Sequence, residues 1–145
     1  MKIFLGSDHA GFEKKEEVKE YLQKKGYDDV TDVGCNSHDS CDYPVYGARV
    51  AREVVGEKGS LGIILCGSGI GISIAANKIK GARAAHCNSI ELAKLAREHN
   101  GANILAVGGR TKLYDDLFEI IETFLITHPD MADRHQRRRE QLDSL

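Results

Sequence analysis

The stretch Leu61-Gly-Ile-Ile-Leu-Cys66-Gly67-Ser68-Gly69-Ile70-Gly71-Ile72-Ser73 decides how the rest of this chain is read. Leu61 to Cys66 is a short apolar run, the pattern of a buried strand. It stops at a cysteine followed by glycine at every second position. Those glycines let the backbone turn sharply and leave amides bare, and the apolar stretch Ile70 to Ile79 then starts a helix. Unpaired N–H groups at a helix start form a site for an anion or a developing oxyanion. A thiol at the mouth of that nest is a candidate nucleophile or base. A tight turn around an inert thiol reads the same residues, because free cysteine mostly behaves as a small hydrophobe.

Outward from this stretch, strands and helices alternate. Lys2 to Gly6 is a short apolar strand. Phe12 to about Lys25 is an amphipathic helix that Gly26 ends, with Phe12, Val18, Tyr21 and Leu22 on its apolar side. Asp29 to Val33 is a second strand. Asp42 is suited to cap a helix with Pro44 in its first turn, where Val45, Ala48, Ala51, Val54 and Val55 keep helical spacing. The helix from Ile70 reaches about Lys78, and Ala82 to His86 is the fourth strand. Asn88 with Glu91 suits a capping box for a helix running to Glu98. Asn103 to Val107 is the fifth strand, Lys112 to Leu125 its helix, and Arg134 to Leu142 a final short helix. The alternation predicts one α/β domain over residues 1–145: a three-layer αβα sandwich of Rossmann-like type, its five-stranded parallel sheet ordered 2-1-3-4-5.

A chain of 145 residues with 41% hydrophobic content is long enough for one proper core. Its net charge of -2 supplies no global positive field, so neither nucleic acid nor an anionic membrane is an expected partner. No apolar run approaches the ~20 residues of a bilayer span. Met1 leads straight into a strand without the succession of a secretory signal, so a reduced, cytoplasmic setting is expected. The cysteines at 35, 41, 66 and 87 include no C-x-x-C pair, which disfavours structural zinc and dithiol redox chemistry.

In a doubly wound sheet, ligands bind outside the carboxyl ends of the strands where strand order reverses. That point falls between the first and third strands, so Ser7-Asp8-His9-Ala10-Gly11 meets Cys66-Gly67-Ser68-Gly69 in one crevice. The glycine loop fits nucleotide motifs poorly. A dinucleotide fingerprint needs G-x-G-x-x-G after the first strand and an acidic residue ~20 positions on, whereas here Cys87-Asn88 stands at that distance from a loop after the third strand. A Walker loop needs Gly-Lys-Ser/Thr, which is absent.

With these residues in view, the chain resembles the type B ribose-5-phosphate isomerases, within a wider family that includes galactose-6-phosphate isomerase subunits. The resemblance covers essentially the whole chain. It rests on Gly6 to Phe12, on Asp42-Tyr43-Pro44, and on Cys66 to Lys78. It continues through Glu98-His99-Asn100, Gly108-Gly109-Arg110 and Arg134-His135-Gln136-Arg137-Arg138. It implies interconversion of aldose and ketose phosphates in the pentose phosphate pathway, through ring opening and a cis-enediolate, without metal or cofactor. It also implies roles. Cys66 is the base that shuttles the carbon-bound proton, helped by the helix N-terminus that follows it. One branch of the family uses a glutamate where this chain has Ile72; isoleucine accepts no proton, which puts this chain in the cysteine branch. Ser68 relays protons between O1 and O2, and the amides of Gly67, Gly69, Ile70 and Gly71 cradle the enediolate. His99 is the ring-opening acid, its unperturbed pKa near ~6.5 suiting the task. Asp8, His9, Tyr43, Asn100, Arg110, Arg134 and Arg138 contact substrate, the last two sharing one helix face and gripping one phosphate.

Each assignment has a plainer counterpart. His99 could cap its helix, Asn100-Gly101 could end it, Asp8 could cap the first helix, and the basic run could be a solvated tail, as Arg137 and Arg139 are taken to be. Topology adds one inference. Cys66 ends a strand, whereas His99 lies between a helix and the next strand, at the opposite end of the sheet. Five strand residues span about 17 Å, too far for one proton-transfer site. If both act on one sugar, His99 comes from a second subunit, so a homodimer with shared sites is expected, alone or within a tetramer. A hexose 6-phosphate isomerase acting on allose or galactose 6-phosphate is the alternative within this fold. A non-catalytic sugar-phosphate or nucleotide-binding module is the alternative from another class.

Overall fold

The structure, a computed structural model, describes residues 1–145. Its elements run β1 (Ile3–Ser7), α1 (Phe12–Lys24), β2 (Val30–Asp32), α2 (Tyr43–Gly56), β3 (Leu61–Cys66), α3 (Ile70–Asn77), β4 (Ala84–His86), α4 (Ile90–Glu98), β5 (Ile104–Gly108), α5 (Leu117–Ile126) and α6 (Asp133–Asp143). Every residue of β1, β3 and β5 is buried, as unbroken apolar strands covered on both faces must be. All pairings are parallel.

The sheet order is β2-β1-β3-β5-β4 and not 2-1-3-4-5. The exchange of the last two strands has a structural consequence. Right-handed crossovers place a helix on one face when the chain steps one way along the sheet and on the other face when it steps back. The path from β3 to β4 skips outward and α3 joins α2; the return from β4 to β5 sends α4 to the other face. One core accordingly packs Val18 and Leu22 of α1, Ala93 and Ala96 of α4, and Ile120 and Phe124 of α5 against the sheet. The opposite core packs Val50 and Val54 of α2 against Ile72 and Ala76 of α3. The step back also pairs β3 with β5 and sets Cys66 beside Gly108.

Several local expectations shift. Ser89, not Asn88, caps α4, its hydroxyl accepting from the Leu92 amide. Helix α5 begins at Leu117 rather than Lys112, because Asp116 accepts from both the Phe118 and Glu119 amides. Asp42 stands at the N-cap of α2 without a side-chain bond. Val45 and Val55 of α2 face outward, and the buried stripe runs through Gly47, Val50, Ala51 and Val54. Gly47 is there because α3 passes too close for a side chain: a Cβ would sit 2.8 Å from the Ile72 carbonyl oxygen. No helix is long and apolar enough to cross a membrane.

Candidate active site

Three loops converge at the carboxyl end of the sheet. The segment after β1 is held by a bond from the Asp8 amide to Leu65 O (3.2 Å), and Asp8 Oδ1 accepts from the Gly11 amide at 3.0 Å. One carboxylate oxygen therefore fixes the turn into α1. His9 Nδ1 lies 3.2 Å from both the amide N and carbonyl O of Cys41, which anchors the ring. The strand exchange brings in the third loop: the Gly109 amide donates to Cys66 O (2.7 Å) and the Arg110 amide to Gly67 O (2.9 Å). Gly108 and Gly109 allow this approach, since a Cβ at Gly109 would lie 3.1 Å from Ala10 O. The Arg110 side chain is exposed at the rim.

Cys66 is buried at the centre of this junction, 5% exposed. The Gly69 amide donates to its Sγ at 3.1 Å, so the N-cap residue of α3 turns its N–H dipole onto the sulfur. Gly69 turns with φ +81, where side chains are disfavoured, and a Cβ would meet Val107 and Gly108 backbone at 2.7 and 2.9 Å. The Ile70 amide donates to Ser68 Oγ (3.2 Å). Of the four amides assigned to the cradle, those of Gly69 and Ile70 are thus engaged inside the loop. The N–H groups of Gly67, Ser68, Gly71 and Ile72 have no protein acceptor and supply an equivalent set. Tyr43 lays its ring against Gly71, where any Cβ would overlap it, and with Asp8, Cys41 and Pro44 it lines a cleft of ≈ 540 Å³.

A second group gathers at the amino end. His99 is the exposed C-cap residue of α4, followed by Asn100, and its ring stacks on His135 of α6 at 4.5 Å and 8°. Burial, then the neighbouring Arg134 charge, hold the His135 imidazole below its ordinary range against the opposing pull of Asp130. His135 is therefore a neutral stacking partner at pH 7. Its Nε2 is buried without a hydrogen bond, 3.8 Å from the Asp130 carboxylate. Arg139 is not a free surface charge: it donates to His99 O (3.3 Å) and Asp130 O (2.9 Å), tying α6 to the end of α4. Arg134 and Arg138 stand exposed one turn apart on α6, with no acidic partner. Asn100 lines a cavity of ≈ 420 Å³ with Asn77, Arg83, Leu142 and Leu145, beside the edge strand β4.

The assigned residues thus fall into two groups at opposite ends of one sheet. Cys66, Ser68, Asp8, His9, Tyr43 and Arg110 lie at one end of the sheet; His99, Asn100, Arg134 and Arg138 lie at the other. Sequence reasoning missed His86, which ends β4 with its Cδ2 2.8 Å from where a Gly69 Cβ would sit. It also missed the anchoring roles of His135 and Arg139. The only sequence signal for either was their place within a short basic helix. No cluster of three or more His, Cys, Asp or Glu side chains is arranged to hold a metal ion.

Comparison with known proteins places this geometry. The ribose/galactose isomerase family model matches residues 3–142. Ribose-5-phosphate isomerase B of Mycobacterium leprae (strain TN) is 45% identical over 139 residues, covering 95% of this chain and 85% of that protein. The Escherichia coli (strain K12) ribose-5-phosphate isomerase B is 40% identical over 144 residues, covering 99% and 95%. Among solved structures, the Thermotoga maritima ribose 5-phosphate isomerase superposes with a TM-score of 0.92 at 46% identity, covering 99% of this chain and 98% of that one. The Clostridium thermocellum ribose-5-phosphate isomerase B does so at 0.93 and 43%, covering 99% and 96%. A thiol bonded by the N-cap amide of a helix, on a whole-chain match of this strength, makes the chain an isomerase of the ribose/galactose isomerase family.

Proposed function

We propose that this enzyme interconverts D-ribose 5-phosphate and D-ribulose 5-phosphate in two sites shared across a homodimer. The observation that carries the reading is Cys66, buried with an amide on its sulfur, beside four unpaired N–H groups. An aldose–ketose isomerisation needs those parts: a base for one carbon-bound proton and donors for the oxyanion that appears as it leaves. Cys66 takes the proton from C2 and returns it to C1. Ser68, whose oxygen accepts from Ile70, keeps its own proton to pass between O1 and O2. His99 donates to the ring oxygen when the furanose opens. Asp8 and Asn100 hold sugar hydroxyls, and His9, Arg110, Arg134 and Arg138 supply cationic or N–H contacts to phosphate.

The separation of the half-sites supports a dimer. β5 lies between them, and its five residues span about 17 Å. Helix α3 runs from Ile70 at the Cys66 end to Asn77 in the Asn100 cavity, and Ile70 and Ile74 expose 53% and 56% of their surface one turn apart. A two-fold axis crossing α3 near Ile74 sets each Cys66 end against the partner's opposite end and covers this stripe.

The test is kcat/KM for ribose 5-phosphate against allose 6-phosphate and galactose 6-phosphate. Ribose 5-phosphate should be the best substrate. Preference for a hexose phosphate would overturn the substrate assignment, and binding without turnover would return the chain to a non-catalytic role.

A further inference from the structure

The amino end of the sheet holds a cavity of ≈ 370 Å³ between the loop after α2, the entry to β4 and the end of α4. None of the residues assigned to the reaction lines it. Val54, Leu61 and Pro129 form an apolar wall, and the charged lining is Lys58, Arg83 and Arg97, with no acidic residue. Arg97 is 9% exposed and has no carboxylate partner. Its Nη1 donates to Ala102 O at 2.6 Å and its Nε to Thr127 O at 3.0 Å, which leaves Nη2 without a protein acceptor. Arg83 stands alongside: its Nε donates to the adjacent carbonyl, Gly101 O, at 3.1 Å. Its Nη1 pairs with Asp143, and its Nη2 also lacks an acceptor. A buried charge is ordinarily paired with an opposite one. Here the fold brings a second guanidinium instead. Burial, then the like charge of Arg83, pull the Arg97 guanidinium below its ordinary range, yet it stays charged at pH 7.

We propose that this cavity is a binding site for a phosphate dianion, free or carried by a small ester, held by Arg97, Arg83 and Lys58. With Asp143 offsetting Arg83, the charges of Arg97 and Lys58 remain, and a dianion neutralises both. Guanidinium N–H groups lie in a plane that matches two oxygens of one phosphate, and the two Nη2 groups supply them. The exposed Lys58 ammonium adds a flexible point charge. The other polar side chains are already spent on the backbone. Asn103 Nδ2 donates to Gly81 O, and Ser60 Oγ to Val54 O and Glu57 O, so recognition falls to the cations. The volume lies within the about 300–1,000 Å³ of small-molecule sites, and the apolar wall suits the carbons of an ester. The site does not depend on which sugar phosphate the enzyme turns over.

The isotope-labelled enzyme is titrated with inorganic phosphate in slightly alkaline buffer, where phosphate is a dianion. Proton–nitrogen NMR follows the Gly59 and Gly101 amides and the Arg97 Nε–H. All three should shift and saturate together at millimolar phosphate. Lys58→Gln, a substitution on the surface, should weaken this binding about two- to fivefold. Arg97→Gln should weaken it about 10- to 150-fold, the loss of one charge-assisted contact. If the buried substitution fails to fold, Arg83→Gln takes its place with the same expected loss. A parallel titration with glycerol 3-phosphate identifies the source of the phosphate: tighter binding than inorganic phosphate assigns the site to an ester, and equal or weaker binding assigns it to the free ion. Resonances that stay still at millimolar phosphate, or shifts confined to His9, Arg134 and Arg138, would overturn the site. Wild-type affinity in the arginine variant would do the same.

Discussion

A site shared between two subunits, as proposed, predicts the activity of mixtures of inactive proteins. Cys66 pairs with Gly108, the last residue of β5, while His99 precedes the first residue of β5 by five positions. The two side chains are separated by the strand's length, about 17 Å, whereas proton transfer needs groups about 3 Å from the reacting atom. Cys66→Ala and His99→Asn homodimers should therefore each be nearly inactive, yet a heterodimer holds one site with both lesions and one with neither. Equal amounts of the two chains, reassorted at random, give about half mixed dimers with one intact site of two. Activity should recover to about a quarter of the wild-type level by this isologous geometry. The assay is turnover of ribose 5-phosphate after exchange at low protein concentration, with heterodimer formation followed by native mass spectrometry. Heterodimers present at the expected fraction, with activity still at the mutant baseline, would refute the reasoning.

Other consequences follow from single contacts. Arg134→Ala and Arg138→Ala should each raise KM roughly 10- to 150-fold with kcat little changed, because a phosphate held equally in ground and transition states contributes uniform binding; unchanged KM in both makes the basic helix a solvated tail. Gly47→Ala should destabilise by about 1–3 kcal/mol, since a Cβ 2.8 Å from Ile72 O forces α2 from α3; a gain in urea midpoint, as for glycine in an ordinary helix, would remove the close-packing argument. Lys15 is wholly buried and pairs with Asp32 and Glu16, so Asp32→Asn, which leaves it the Glu16 carboxylate alone, should lose about 1.5–3 kcal/mol. Burial pushes the Asp32 carboxyl up, but bonds from Lys15, Lys19 and the Gly34 amide outweigh it and hold it below its ordinary range. Its stability contribution is therefore full above the unfolded carboxylate's value near ~3.9 and fades as pH falls through the lower folded one. A wild-type urea midpoint that stays flat between pH 6 and 2 would contradict that.

The sequence by itself determined the α/β class, the three strands that carry the core and the candidate residues that the fold gathers at each end of the sheet. Each is a local property: an apolar run too short for a helix, glycines at alternate positions after a cysteine, a histidine at a helix end. It also determined that Cys66 and His99 lie at opposite ends, because in parallel αβ units loops after strands and loops after helices emerge on opposite edges. Tertiary structure alone decided the rest. Whether β4 or β5 sits against β3 depends on the packing of α4 and α5, and both orders satisfy the same residue pattern. That choice put Gly108 to Arg110 beside Cys66 and α4 under α5. Val45 and Val55 share helical spacing with the core residues of α2, and only the line along which α3 crosses decides which apolar positions face inward. The stack of His99 on His135 joins residues whose separation along the chain matches no motif, so the approach of α4 and α6 is the first sign that they meet.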